Sequence, residues 1–211
     1  MAKKMGKRMG GSQILLGKMQ KEAVMNRIDT LIDYGAEGII VGDDFSAWMR
    51  SNHAGETGAV WIYFGAGLAF WSAEIRAMAL QHGATERQHL LVMEHLVPTS
   101  QRSHLIFLWK VMGLGLGLLS AAFGYKAFCL TIRAVETFVE DHYREQIQYL
   151  KKENANPKLL RLLERCCEEE VDHQLDAHDR VDGVELGFIG RLWSSIVSGG
   201  SGLAVKAAKK F

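Results

Sequence analysis

The sequence predicts an all-α protein, a helical bundle built from two helix pairs with an apolar crossover segment between them. Three observations predict it. Only 2 of the 211 residues are proline, and long stretches are filled with Leu, Ala, Glu, Lys, Arg and Met, which favour helix. Few segments show the alternating, β-branched pattern of strands. The strongest breaks fall at Ser72, at Pro98 and across Asn154-Ala155-Asn156-Pro157. The length suits one compact domain with a full core.

Residues 1–44 read as a basic N-terminal appendage. Lys3, Lys4, Lys7, Arg8, Lys18 and Lys21 occur there with no acidic residue before position 22. Such a segment is either a solvated tail, a membrane-surface contact or part of an organelle-targeting sequence. An amphipathic stretch near 19–33 follows, then Gly35, Gly38 and Gly42 around Ile39-Ile40-Val41. Residues 45–211 form the main domain. A first helix is expected over 46–70. Ser72 can N-cap the next, with Glu74 favourable in its first turn, and Pro98 ends that run near Val97. Residues 105–124 are strongly apolar, with Lys110 the one charged residue. Helices follow from about 126 to 150, from the Asn-Pro turn to about 181, and over 187–198. Lys206, Lys209 and Lys210 repeat the basic bias at the C-terminus.

Composition excludes several classes. The formal net charge of +1 gives no overall attraction to nucleic acid. Three cysteines, two of them adjacent at Cys166 and Cys167, make neither a disulfide framework nor a C-x-x-C metal knuckle, which suits a reducing, intracellular compartment. Gly113, Gly115 and Gly117 do not complete G-x-G-x-x-G, because Leu118 stands where the third glycine is needed.

The chemistry lies in a repeated spacing. Glu86-Arg87-Gln88-His89 and Glu170-Val171-Asp172-His173 are two E-x-x-H units inside helical runs. Three residues along a helix return nearly to the same face, so each pair can grip one ion. Each unit is preceded by a helix with an acidic candidate, Glu56 at 30 residues before Glu86 and Glu136 at 34 before Glu170. Antiparallel helices bring such residues to one height only if the turn falls midway. The midpoints are residue 71, beside Ser72, and residue 153, at the Asn-Pro turn. Four carboxylates and two imidazoles satisfy two divalent ions that prefer oxygen and nitrogen, iron or manganese before structural zinc. Ferritin-like bundles with paired iron or manganese ions use this set. The competing reading leaves these residues as surface glutamates and incidental histidines. His53, three residues before Glu56, Asp176, three after His173, and Tyr143, seven after Glu136, are candidates to hydrogen-bond a ligand or reach a substrate. His82, His95, His104 and His178 have no supporting pattern.

Residues 105–124 are only just long enough to span a bilayer, and the alternating glycines and Lys110 argue against a single pass. A membrane-lying or membrane-dipping crossover is expected, ahead of a buried core segment or a transmembrane helix. Phe188, Ile189, Leu192, Trp193 and Ile196 make a second apolar face at helical spacing.

From about residue 49 to the end, the chain resembles demethoxyubiquinone hydroxylase, the di-iron monooxygenase of ubiquinone biosynthesis. The likeness rests on Asn52-His53-Ala54-Gly55-Glu56, Glu86-x-x-His89, Val135-Glu136 with His142-Tyr143 downstream, and Glu170-x-x-His173. Asn52 and Gln174 depart from the residues many members carry there. The resemblance implies a ferritin-like fold, with Glu56, Glu86, His89, Glu136, Glu170 and His173 as ligands of two iron ions. It implies O₂-dependent hydroxylation of a prenylated demethoxy-quinone ring, with NADH as the source of electrons. It also implies peripheral attachment to the matrix side of the mitochondrial inner membrane, or to a bacterial inner membrane, and a lipid-binding partner protein of the ubiquinone-biosynthesis complex. The alternatives are a di-iron oxidase or peroxidase of soluble substrates, an iron-storage protein, and a metal-free structural protein.

Overall fold

Helix α1 (Gly11–Asp33) leads into a glycine-marked turn, and α2 (Ser46–Gly67) and α3 (Ala73–Leu96) form the first long pair. The crossover is α4 (Ile106–Ala122), the second pair is α5 (Tyr125–Lys152) and α6 (Pro157–Asp179), and α7 (Phe188–Lys210) closes the chain. This computed structural model describes residues 11–181 and 187–211, with side chains from residue 22 onward. The N-terminal basic residues up to Lys21 therefore lie outside the described side chains. The described residues are helical, with no strand among them, and make a ferritin-like bundle.

Local chemistry sets the turns. The Ser72 hydroxyl accepts from Ile75 N–H at 3.3 Å, so the expected cap starts α3. At the other turn, Asn156 takes a left-handed φ of 39°, its side chain accepts from Leu159 N–H at 3.1 Å, and Pro157 opens α6. The Asn156 amide also donates to the Ile40 carbonyl at 2.8 Å. That bond fixes the 35–42 segment, whose Gly35 and Gly38 adopt positive φ.

Two helices run longer than the sequence pattern predicts. Helix α1 begins at Gly11 rather than near 19, and α7 continues to Lys210 rather than ending at 198. The glycines at 199, 200 and 202 resemble a stop signal, yet the helix beyond them is held by packing: Ala204, Ala207 and Ala208 join Ala54 and Trp109 in one apolar cluster. Lys209 lies 5.2 Å over the Trp48 ring, so that end is docked on α2.

Helix α4 lies tightly along α2 because small residues face each other. A side chain at Gly65 would come within 2.6 Å of the Leu114 carbonyl, and one at Gly117 would strike the Ile62 carbonyl. Gly115, on the other face, meets nothing within 4 Å. Gly117→Ala is expected to push α4 off α2 and cost about 1–3 kcal/mol, read as a lower urea midpoint, whereas Gly115→Ala should leave the midpoint unchanged or raised. With 17 residues, α4 is about 25 Å long. No described helix is long and apolar enough to cross a membrane.

Two apolar clusters fill the bundle. One gathers Met49, Met93, Leu150 and Leu163, and the other Ile62, Met78, Phe128 and Ile132. Buried acidic residues and histidines of α2, α3, α5 and α6 form a polar layer in the same bundle.

Candidate metal centre

Each helix of the two long pairs sends acidic or imidazole groups into this layer. Glu56 comes from α2, Glu86 and His89 from α3, Glu136 from α5, and Glu170 and His173 from α6. None is more than 7% exposed. They make two groups of donor atoms, Glu56, Glu86, His89 and Glu170 in one, and Glu86, Glu136, Glu170 and His173 in the other, with the atoms of each within 4.8 Å of one another. Glu86 and Glu170 belong to both. Each group could hold a divalent ion, and Glu86 and Glu170 would be available to both.

The electrostatics show what the layer needs. Burial and the charge of Glu170 push the Glu86 carboxyl up to about 8. Burial, with the charges of Glu170 and Glu86, pushes Glu136 well above the usual range. Burial opposes the charging of His173, yet the neighbouring Glu170 and Glu86 carboxylates raise it to about 11. Glu86 and Glu136 resist ionisation beside Glu170 unless positive charge is added. Both oxygens of Glu86, Oε2 of Glu170 and Nδ1 of His173 are buried without a hydrogen-bond partner. His173 Nδ1 and Glu86 Oε1 are 3.0 Å apart, but at that distance they form an ion contact lacking hydrogen-bond alignment. Buried oxygen and nitrogen atoms left in this state fit a pair of divalent cations.

The pH response follows from the same groups. Glu86 titrates higher folded than unfolded, so it stabilises the metal-free fold at low pH, and that contribution is lost as pH rises through about 8. His173 behaves likewise, losing its contribution between its ordinary 6.5 and about 11. Burial holds His53, His82 and His142 down to about 4, so above 6.5 they are neutral in both states and add no further change. Metal-free protein is expected to lose stability between pH 6.5 and 8, while metal-loaded protein does not, because metal takes the place of the protons. Thermal melts of the two forms check this; a metal-free melting temperature that rises across the window contradicts it.

Tyrosines hold the outer carboxylates. The Tyr143 hydroxyl donates to Glu56 Oε1 at 2.6 Å, and the Tyr63 hydroxyl donates to Glu136 Oε1 at 2.8 Å. Tyr143 lies seven residues after Glu136 and Tyr63 seven after Glu56, so each helix sends its tyrosine to the other helix's glutamate. Only Tyr143 was expected, although the spacing that pointed to it also points to Tyr63.

Each histidine of the centre has its own support. His89 Nδ1 faces Glu170 Oε1 at 3.1 Å, and its Nε2 meets Glu169 Oε2 at 2.6 Å. His173 stacks on His82, ring centroids 4.2 Å apart and 8° from parallel. His82 Nε2 in turn bonds Asp176 Oδ2 at 2.9 Å. His82 has no sequence pattern to single it out, being four residues before Glu86, and Asp176 meets it rather than a carboxylate or imidazole of the six. His53 is buried, but the charges acting on it are those of Arg102 and Lys110, and it gives no atom to either donor group. Asn52 pairs its amide with Gln146 at 2.8 and 2.9 Å. Gln174 donates to Thr137 at 3.2 Å.

A cavity of about 430 Å³ reaches the centre from one side. Glu56, Glu86, Glu136, Glu170 and Tyr143 line it, together with apolar side chains of α2, α4, α5 and α7, among them Trp109, Leu116, Val139 and Val197.

Known proteins resemble this chain over most of its length. The family described as Ubiquinone biosynthesis protein COQ7 matches residues 43–208, most of the chain. The chain belongs to this family. It is 29% identical over 166 residues to a protein of Caenorhabditis elegans, covering 77% of this chain and 88% of that one. It is 29% identical over 128 residues to a protein of Dictyostelium discoideum, covering 59% of each. Both are named NADPH-dependent 3-demethoxyubiquinone 3-hydroxylase, mitochondrial. A third relative, 3-demethoxyubiquinol 3-hydroxylase of Rhodospirillum rubrum, is 32% identical over 123 residues, 54% of this chain and 58% of that one. The two eukaryotic names give NADPH where the sequence resemblance implies NADH.

Proposed function

We propose that the chain is a di-iron monooxygenase that hydroxylates the ring of a prenylated demethoxy-quinone. The observation that carries this reading is the cavity: an apolar passage ends on four buried carboxylates. Apolar walls suit an isoprenoid tail, and the polar end suits a quinone ring. Membership of the family supports the same reading.

Glu56, Glu86, His89, Glu136, Glu170 and His173 would hold the two metal ions. Bound there, two iron ions would supply the redox chemistry that splits O₂, placing one oxygen atom on the ring and releasing the other as water. The chain's own part is to orient and exclude. Tyr63 and Tyr143 fix the outer glutamates, His82 and Glu169 fix the imidazoles, and the apolar walls keep water from the ring. A pyridine nucleotide, NADH or NADPH, would be the source of electrons.

Exposed apolar side chains on α4 and α7 suit a lipid environment. On α4, Phe107 is 79% exposed, and on α7, Phe188 and Ile189 are 74% and 81% exposed. These faces would lie on a membrane, the mitochondrial inner membrane or a bacterial inner membrane, and would take the lipid-binding partner of the quinone-biosynthesis complex. The test is product analysis with iron-loaded protein, O₂, a reduced pyridine nucleotide and a prenylated demethoxy-quinone. Hydroxylated quinone is expected. Iron-loaded protein that leaves the quinone unchanged but oxidises water-soluble substrates would favour the soluble oxidase reading.

A further inference from the structure

The end of α1 reaches the metal centre, although it lies before residue 43, where the family match begins. Tyr34 is 5% exposed and its hydroxyl donates to Glu169 Oε2 at 2.5 Å. The same oxygen meets His89 Nε2 at 2.6 Å, and the other oxygen, Oε1, accepts from Arg165 Nε at 3.1 Å. Arg165 stacks on the Tyr34 ring at 3.9 Å and bonds both the carbonyl and the carboxylate of Asp33 at 2.6 Å. The Tyr34 ring also sits edge-on to His89, with centroids 5.8 Å apart. Glu169 is thus gripped from three sides, and two of the gripping groups depend on residues 33 and 34.

The two ends of the centre are therefore supported differently. The imidazole of His89 is oriented by a carboxylate that is itself locked, whereas His173 rests against the His82 ring. We infer that Tyr34 is a positioning residue for the metal position formed by Glu56 and His89, and that this N-terminal clamp makes that position the tighter of the two. The inference rests on reading the six residues as a two-metal site. Fixing a ligand's far nitrogen holds its ring in the productive direction and strengthens the nitrogen that faces the metal.

The test is a titration of metal-free, full-length protein with cobalt(II), followed by visible absorption. The parent is expected to bind in two steps of unequal affinity. Tyr34→Phe keeps the ring under Arg165 and removes only the hydroxyl; it should weaken the tighter step about 10- to 100-fold and leave the other step unchanged. Leu31→Ala, which removes a buried apolar contact of the same segment and leaves the Tyr34 hydroxyl in place, should lower the melting temperature and leave both steps as in the parent. A Tyr34→Phe titration superimposable on the parent overturns the inference. So does a Leu31→Ala variant that reproduces the Tyr34→Phe loss, since general packing would then explain it. A parent that takes up a single ion overturns the two-metal reading itself, a failure distinct from either variant's.

Discussion

Glu86→Ala is expected to abolish paired metal binding and, with it, quinone hydroxylation, while the helices remain. Glu86 belongs to both donor groups, is fully buried, and has no hydrogen-bond partner on either oxygen. Its removal takes a shared donor from both positions and relieves the metal-free protein of an unpaired buried carboxyl. Stability then separates the two effects. Metal at a hundred times its dissociation constant should stabilise the parent by about 2.7 kcal/mol, and the variant by almost nothing. Circular dichroism should show the same helix content in both. A variant that still binds two ions and still turns over would place the chemistry elsewhere.

Filling the cavity should separate metal binding from catalysis. Val139 lines the cavity one turn beyond Glu136 on α5 and touches both apolar clusters. Val139→Trp fills part of the cavity with an indole and leaves all six donor residues unsubstituted. Two metal ions should still bind, and hydroxylation should fall by about 100-fold, as expected when a reacting group is displaced by an ångström or more. The loss should appear in product formation with the full-length quinone, with the metal's absorption spectrum unchanged. Undiminished turnover would show that the quinone reaches the centre by another route.

Much of this arrangement was legible because it repeats. The two E-x-x-H units, a glutamate about thirty residues before each, and turns at the midpoints fix which helices are antiparallel, and the structure brings all six residues together. Tyr63 was equally legible, since it stands to Glu56 as Tyr143 stands to Glu136. His82 was not, because stacking on His173 depends on how far α3 and α6 are offset, and no local pattern records that offset. The clamp at Tyr34 lies still further from sequence reasoning. A basic, glycine-rich N-terminal stretch reads as an appendage, and only the tertiary path shows Leu31, Tyr34 and Ala36 buried in the core. The glycines of α4 were read as weakening a membrane span; in the structure, Gly113 and Gly117 serve close packing on α2. Helix α7 outran its predicted end because Ala204, Ala207 and Ala208, beyond the glycines, pack against Ala54 and Trp109.

Anomalous diffraction at the iron edge, from crystals of iron-loaded protein, would decide whether Glu86 and Glu170 lie between two metal ions at the end of the apolar cavity. The predicted result is two peaks about 3.5–4 Å apart, one beside Glu56 and His89 and the other beside Glu136 and His173, with Glu86 and Glu170 between them. A single peak, or iron bound only at sites away from these six residues, would contradict it.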